Sequence, residues 1–184
     1  MNSAAIANLL LLCIDLQPAF VKALNDGNAV QRRCAFAIQA AAGLGIGVAF
    51  TEQVPQKLGG TAPELLNLVP KPTVFGKCTF SAFADDGIRD ALRQRGVTHV
   101  LLCGIETSVC VYQTALDALA TGLQVTVLSD CTGARRPDDA QICLAALAHT
   151  GIHILPSETV FYALLHDAKH PFFKAYTQLV KSHA

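Results

Sequence analysis

Six short apolar runs, separated by longer stretches of helical period, organise this chain. Leu9-Leu10-Leu11-Leu12-Cys13-Ile14 has no polar alternation and stops at Asp15, as expected of a strand buried on both faces. From about 29 to 42, Val30, Cys34, Ala37, Ile38 and Ala41 recur at helical spacing until Gly43, Gly45 and Gly47 break the pattern. The remaining apolar runs predict strands at 46–51, 73–75, 98–103, 124–129 and 152–155. Helices are predicted at 84–95, from Val111 until Gly122, and at 137–149, where Pro137 marks a first turn. Two more, near 158–166 and 171–181, close the pattern.

Strand and helix thus alternate throughout, which argues for an α/β fold: a three-layer αβα arrangement with one mostly parallel sheet covered on both faces. Six strands suit the doubly wound order 3-2-1-4-5-6, which sets the first and fourth strands side by side at the topological switch point. Ligands bind there, beyond the carboxyl ends of the strands. Asp15 ends one of these two strands, and Gly104-Ile105-Glu106-Thr107-Ser108-Val109-Cys110-Val111 follows the other. That segment carries a cysteine into the first turn of a helix, where free amides and the helix dipole favour a thiolate and could hold an oxyanion. The other reading of Cys110 is a small buried hydrophobe, which fits Cys13, Cys34, Cys103, Cys131 and Cys143 inside apolar runs or helices.

Composition narrows the classes. The 184 residues read as a single domain, with the Pro/Gly-rich stretch 54–72 as an active-site or interface loop. Formal net charge is zero and no basic block occurs, which speaks against nucleic acid as a partner. Charged residues make up only 15%, against about 25% on average, so part of the surface is expected in a homo-oligomer interface. The run from Ala4 to Ile14 lacks the basic flank and cleavage site of a signal peptide, and no run is long enough to span a membrane. Seven cysteines, an odd number, fit reduced thiols and a cytoplasmic location.

Several motifs fail on context. Gly43-Leu44-Gly45-Ile46-Gly47 precedes a strand, whereas a dinucleotide fingerprint follows one. Gly76-Lys77-Cys78-Thr79 lacks the first glycine of a phosphate loop, and no Gly-x-Ser-x-Gly elbow exists. His166-Asp167-Ala168-Lys169-His170 lacks the glutamate of a zinc-binding helix and runs into Pro171. Neither a metal site nor a cofactor is expected.

Cys13-Ile14-Asp15-Leu16-Gln17-Pro18-Ala19-Phe20, Phe75-Gly76-Lys77-Cys78-Thr79-Phe80-Ser81-Ala82-Phe83 and Gly104–Val111, with Asp130-Cys131-Thr132, resemble the isochorismatase-like cysteine hydrolases. Thr51-Glu52-Gln53 after the second strand is similar to the small isochorismatase-domain proteins. The resemblance implies a catalytic triad of Asp15, Lys77 and Cys110, an oxyanion hole from the amides of Glu106 and Cys110, and a cis peptide at Ile105–Glu106. Pocket walls are expected from loops 16–25, 52–72 and 78–83, with Gln17, Phe20, Gln53 and Tyr112 as candidate substrate contacts. Metal-dependent nicotinamidases of this superfamily carry histidines near the second strand, where this chain has Glu52-Gln53. The implied activity is hydrolysis of a C–N bond in a small amide or carbamoyl compound through a thioester. The alternatives are a binding or interaction module without turnover and a vinyl-ether hydrolase. Cys110 is expected to be the thiol most readily alkylated near neutral pH, with Cys78 its competitor.

Overall fold

The computed structural model describes residues 6–183, so the first two residues of the run 4–14 lie outside the described residues. Six parallel strands, β1 (Leu9–Ile14), β2 (Gly47–Gln53), β3 (Thr73–Lys77), β4 (His99–Ile105), β5 (Gln124–Gly133) and β6 (His153–Leu155), form one sheet in the order β3-β2-β1-β4-β5-β6. This is the doubly wound order expected from the sequence. Among the described residues, six helices of nine residues or more cover it: α1 (Gly27–Gly43), α2 (Asp86–Gln94), α3 (Tyr112–Ala120), α4 (Pro137–Ala148), α5 (Ser157–Leu165) and α6 (Phe173–Ser182). Among the described residues, no helix is long and apolar enough to cross a membrane.

Alternation along the strands builds two cores. Leu11 and Cys13 of β1 point into a cluster with Phe36 and Ile38 of α1, Phe161 of α5 and Tyr176 of α6. Leu10, Leu12 and Ile14 point the other way, against Ile88 and Leu92 of α2, Ala115 and Ala118 of α3 and Leu147 of α4. A continuous apolar run is what a strand needs when both of its faces are covered. The glycine-rich break after α1 is a C-terminal cap: Gly45 takes φ +76°, its amide donates to the Ala42 carbonyl, and the Ile46 amide donates to the Ala41 carbonyl.

The strands run further than their apolar segments. β2 reaches Gln53 and β3 reaches Lys77 because Glu52 and Gln53 pair with Gly76 and Lys77. Lys77 therefore ends a strand instead of sitting in a loop. β5 extends to Gly133, which puts Asp130, Cys131 and Thr132 in the sheet, and its pairing with β4 shifts register between Leu102 and Gly104. The 54–72 stretch contains two single helical turns, Pro55–Leu58 and Pro63–Leu66.

Candidate active site

The carboxyl ends of β1, β2, β3 and β4 converge on one buried polar cluster. Asp15 leaves β1 with φ +50°, a conformation in which its amide donates to the Thr51 carbonyl at 3.1 Å and approaches Thr51 Oγ1 at 3.3 Å. The Thr51 hydroxyl donates back to Asp15 Oδ1 at 2.7 Å. Lys77 Nζ donates to Asp15 Oδ2 at 2.7 Å and to Gln53 Oε1 at 2.6 Å, and lies 3.1 Å from the carbonyl oxygens of Thr79 and Phe80. Asp15 is 0% and Lys77 2% exposed. Such burial is tolerable only because each charge meets the other and hydrogen bonds occupy what remains.

β4 delivers the third element. At Gly104, φ +116°, an added Cβ would sit 2.1 Å from the Ile14 carbonyl oxygen, so β1 and β4 touch through bare backbone. The Ile105–Glu106 peptide that follows is cis. Thr107–Val111 is a π-helical turn leading into α3. The Glu106 carbonyl accepts from the amides of Val109 and Val111, passing over Cys110, and the Thr107 carbonyl accepts from the Tyr112 amide. Cys110 thus enters the helix on a π-bulge, two residues before regular α-geometry begins.

Asp15, Phe20, Gln53, Phe80, Ile105, Glu106, Val109, Cys110 and Arg135 line a cavity of about 150 Å³. It brings together Asp15, Cys110, Glu106, Phe20 and Gln53 of the residues expected from the sequence, with Lys77 directly behind Asp15. Gln17 and Tyr112 are not among the lining residues. Gln17 is buried and serves as a brace: it accepts from the Gln53 amide (2.7 Å) and donates to the carbonyls of Gln53 (3.1 Å) and Gly59 (2.6 Å). Tyr112, the first residue of α3, is half-buried at the margin of the second core.

Electrostatics contradict one expectation. Burial, reinforced by the negative charge and hydrogen-bonding capacity of Asp15, pushes the Cys110 thiol up to about 12 despite the opposing pull of Lys77. The shift runs against the thiolate expected at the helix start, and Cys78, the expected competitor, is exposed. The helix-terminus argument failed because it considered the helix without the carboxylate facing its first turn.

Two cavity or support residues, Thr51 and Arg135, escaped sequence reasoning, whereas Phe80 lies in the loop 78–83 expected to wall the pocket. Thr51 carries the hydroxyl that orients Asp15, Phe80 is 55% exposed at the cavity, and Arg135 pairs with Glu106 (Nε to Oε1, 2.6 Å). Only Thr51 carried a signal, as the polar residue at a strand end opposite Asp15. Among the described residues, no three His, Cys, Asp or Glu side chains gather in a way that could hold a metal ion. Glu52 is occupied in accepting from the Thr61 amide at 2.7 Å. Asp130 lies apart from the cavity, tied to Arg33 of α1 and to Ser157 of α5.

Residues 9–159 match the model of the isochorismatase domain. The chain belongs to the isochorismatase family. An isochorismatase domain-containing protein 1 from Salmo salar is 36% identical over 181 residues, covering 97% of this chain and 62% of the salmon protein. The chain therefore spans about three fifths of that relative's length. A solved structure described as MAR1 ribonuclease from Caenorhabditis elegans superposes with a TM-score of 0.89 at 31% identity, covering 96% of this chain and 91% of that one. The nicotinamidase PncA from Bacillus subtilis, 20% identical with a TM-score of 0.72 and covering 80% of this chain and 99% of that one, shares the family fold.

Proposed function

We propose that this chain is a cysteine hydrolase that opens the C–N bond of a small amide or carbamoyl compound through a thioester on Cys110. The observation that carries the reading is the buried Asp15–Lys77 pair, 2.7 Å apart, at a small cavity that Cys110 also lines. Asp15 is the base: it takes the proton from Sγ as the sulfur attacks the carbonyl carbon. Proton transfer accompanies attack, since the thiol is protonated at rest. The amides of Glu106 and Cys110 receive the developing oxyanion. Asp15 then hands its proton to the leaving nitrogen, the C–N bond breaks, and the acyl group stays on Sγ. A water, deprotonated by Asp15, attacks the thioester, and the departing sulfur regains its proton. Throughout, Lys77 offsets the negative charge that Asp15 and the oxyanion place in one pocket.

A cavity of about 150 Å³ and a formal net charge of zero favour a small molecule over a polynucleotide, whose phosphates call for a cationic surface. The proposal includes self-association, supported by the low share of charged residues, 15% of the chain.

Mass spectrometry tests the reading. The protein is incubated with a library of small amides in buffer containing EDTA and quenched in acid. An acyl adduct on Cys110, with released amine, is the expected result. Amides that bind Cys110→Ser but leave no adduct on the native protein would identify a binding module and overturn the proposal. Turnover that vanishes on adding EDTA would overturn the metal-free mechanism.

A further inference from the structure

The cavity opens onto a wider groove of about 690 Å³ that continues to Ser108, Arg136 and Ile142. Glu106, Val109 and Arg135 line both spaces. Arg135 therefore stands at the neck through which a molecule in the groove reaches Cys110. Only part of its guanidinium is engaged: Nε donates to Glu106 Oε1 at 2.6 Å, while the two terminal nitrogens have no hydrogen-bond partner among the described residues. Its side chain is 63% exposed, whereas Glu106 is 13% exposed and so pins the arginine by its inner edge. Behind the cavity wall, Lys77 is saturated by Asp15, Gln53 and two carbonyls. Among the described lining residues, Arg135 alone brings unsatisfied cationic donors to the substrate.

We propose that Arg135 is a specificity-determining residue that selects amides carrying a carboxylate a few bonds from the scissile carbonyl. The inference rests on the hydrolase reading above and deepens it. A guanidinium held by Nε keeps a pair of parallel N–H donors free, the arrangement that grips a carboxylate with two hydrogen bonds. The short cavity sets the span: one end of the substrate at Cys110, the acid at the neck. Glu106 fixes the guanidinium without filling the space the acid takes, and balances its charge when the site is empty.

Succinamate, the monoamide of a short diacid, and the neutral diamide succinamide serve as matched probes. With native protein, kcat/KM for succinamate is expected to exceed that for succinamide by about tenfold, the worth of one charge-assisted pair that is partly open to water. Arg135→Gln should collapse that ratio toward one, and Arg135→Lys should restore part of it. Calorimetry on Cys110→Ser, alone and combined with Arg135→Gln, reads the same preference in Kd without turnover. If the probes bind with that preference but are never hydrolysed, the hydrolase reading fails and the Arg135 assignment stands. If native protein shows no preference in rate or in Kd, or if Arg135→Gln lowers both probes equally, the assignment is wrong whatever becomes of catalysis.

Discussion

Two aspartates of this molecule look alike on paper and do different things. Asp15 and Asp130 each lie at or near the carboxyl end of a central strand, and each meets a basic side chain at 2.7 Å. Around Asp130 every direction is taken: the Ser157 amide and hydroxyl donate at 2.7 Å each, Arg33 donates from Nε and a terminal nitrogen, and Arg33 itself stacks 4.5 Å over Phe36. Asp15 receives the Thr51 hydroxyl and Lys77, and its remaining capacity faces Cys110 and a cavity. An acid whose lone pairs are all spent on the protein is a clamp, here joining β5 to α1 and α5. The acid with capacity left over, next to a thiol and a space, is the one fit for proton transfer.

The comparison breaks most visibly at the lysine. Lys77→Met leaves Asp15 buried without its counter-charge, so turnover should fall by at least about a thousandfold and stability by about 3–5 kcal/mol. Arg33→Met strips a pair that is partly open to water; it should cost about 1–2 kcal/mol, with turnover kept within a few-fold. Urea midpoints and steady-state rates on the two variants decide between a clamp and a catalyst at each place.

A smaller effect separates native protein from Asp130→Asn. Burial works against the Asp130 carboxylate, but the Ser157 hydroxyl and amide together with Arg33 outweigh it and hold its pKa below the usual carboxylate value. A depressed pKa means stability that is present above the unfolded value, about 3.9, and lost as pH falls through the folded one. The variant should therefore be about 1–2 kcal/mol less stable at pH 7, with the gap closing below about pH 4, as thermal melts across pH will show.

The gentlest probe removes no side chain. Under iodoacetamide at pH 7–8, Cys78 should be labelled before Cys110. Because the Cys110 thiol lies near 12, its labelling should climb about tenfold per pH unit from 7 to 10. Peptide mapping that found Cys110 labelled first, with a plateau near neutrality, would put a standing thiolate beside Asp15 and contradict the proton-coupled attack.

What could be read from the residues follows from burial. β1, β4 and the start of β5 are covered on both faces, so their apolar runs announced them. β3 lies at the sheet edge, with Thr73 and Phe75 half-buried and Val74 and Gly76 exposed; its apolar run stopped at Phe75, which left Lys77 outside the expected strand. The π-turn before α3 was illegible because the apolar spacing there is equally compatible with α-helix. Gln17 looked like a substrate contact because a polar residue beside a strand end usually has something to bind; here it binds the backbone at Gln53 and Gly59. Arg135 was hidden because β5 continues past its apolar segment, and only the full length of that strand brings residue 135 to the cavity.

The close approach at Gly104 divides the molecule into a part that can change and a part that cannot. Backbone atoms of β1 and β4 meet there with no space for a methyl group, so any side chain would spread the strands that lead to Asp15 and Cys110. The proposed reaction is thereby tied to a single backbone spacing. Phe80 and Arg135 lie outside that clasp, Phe80 55% exposed and the Arg135 side chain 63% exposed. Selection for new amides should therefore collect substitutions around residues 80 and 135 and leave position 104 untouched, keeping one chemistry while its clientele changes.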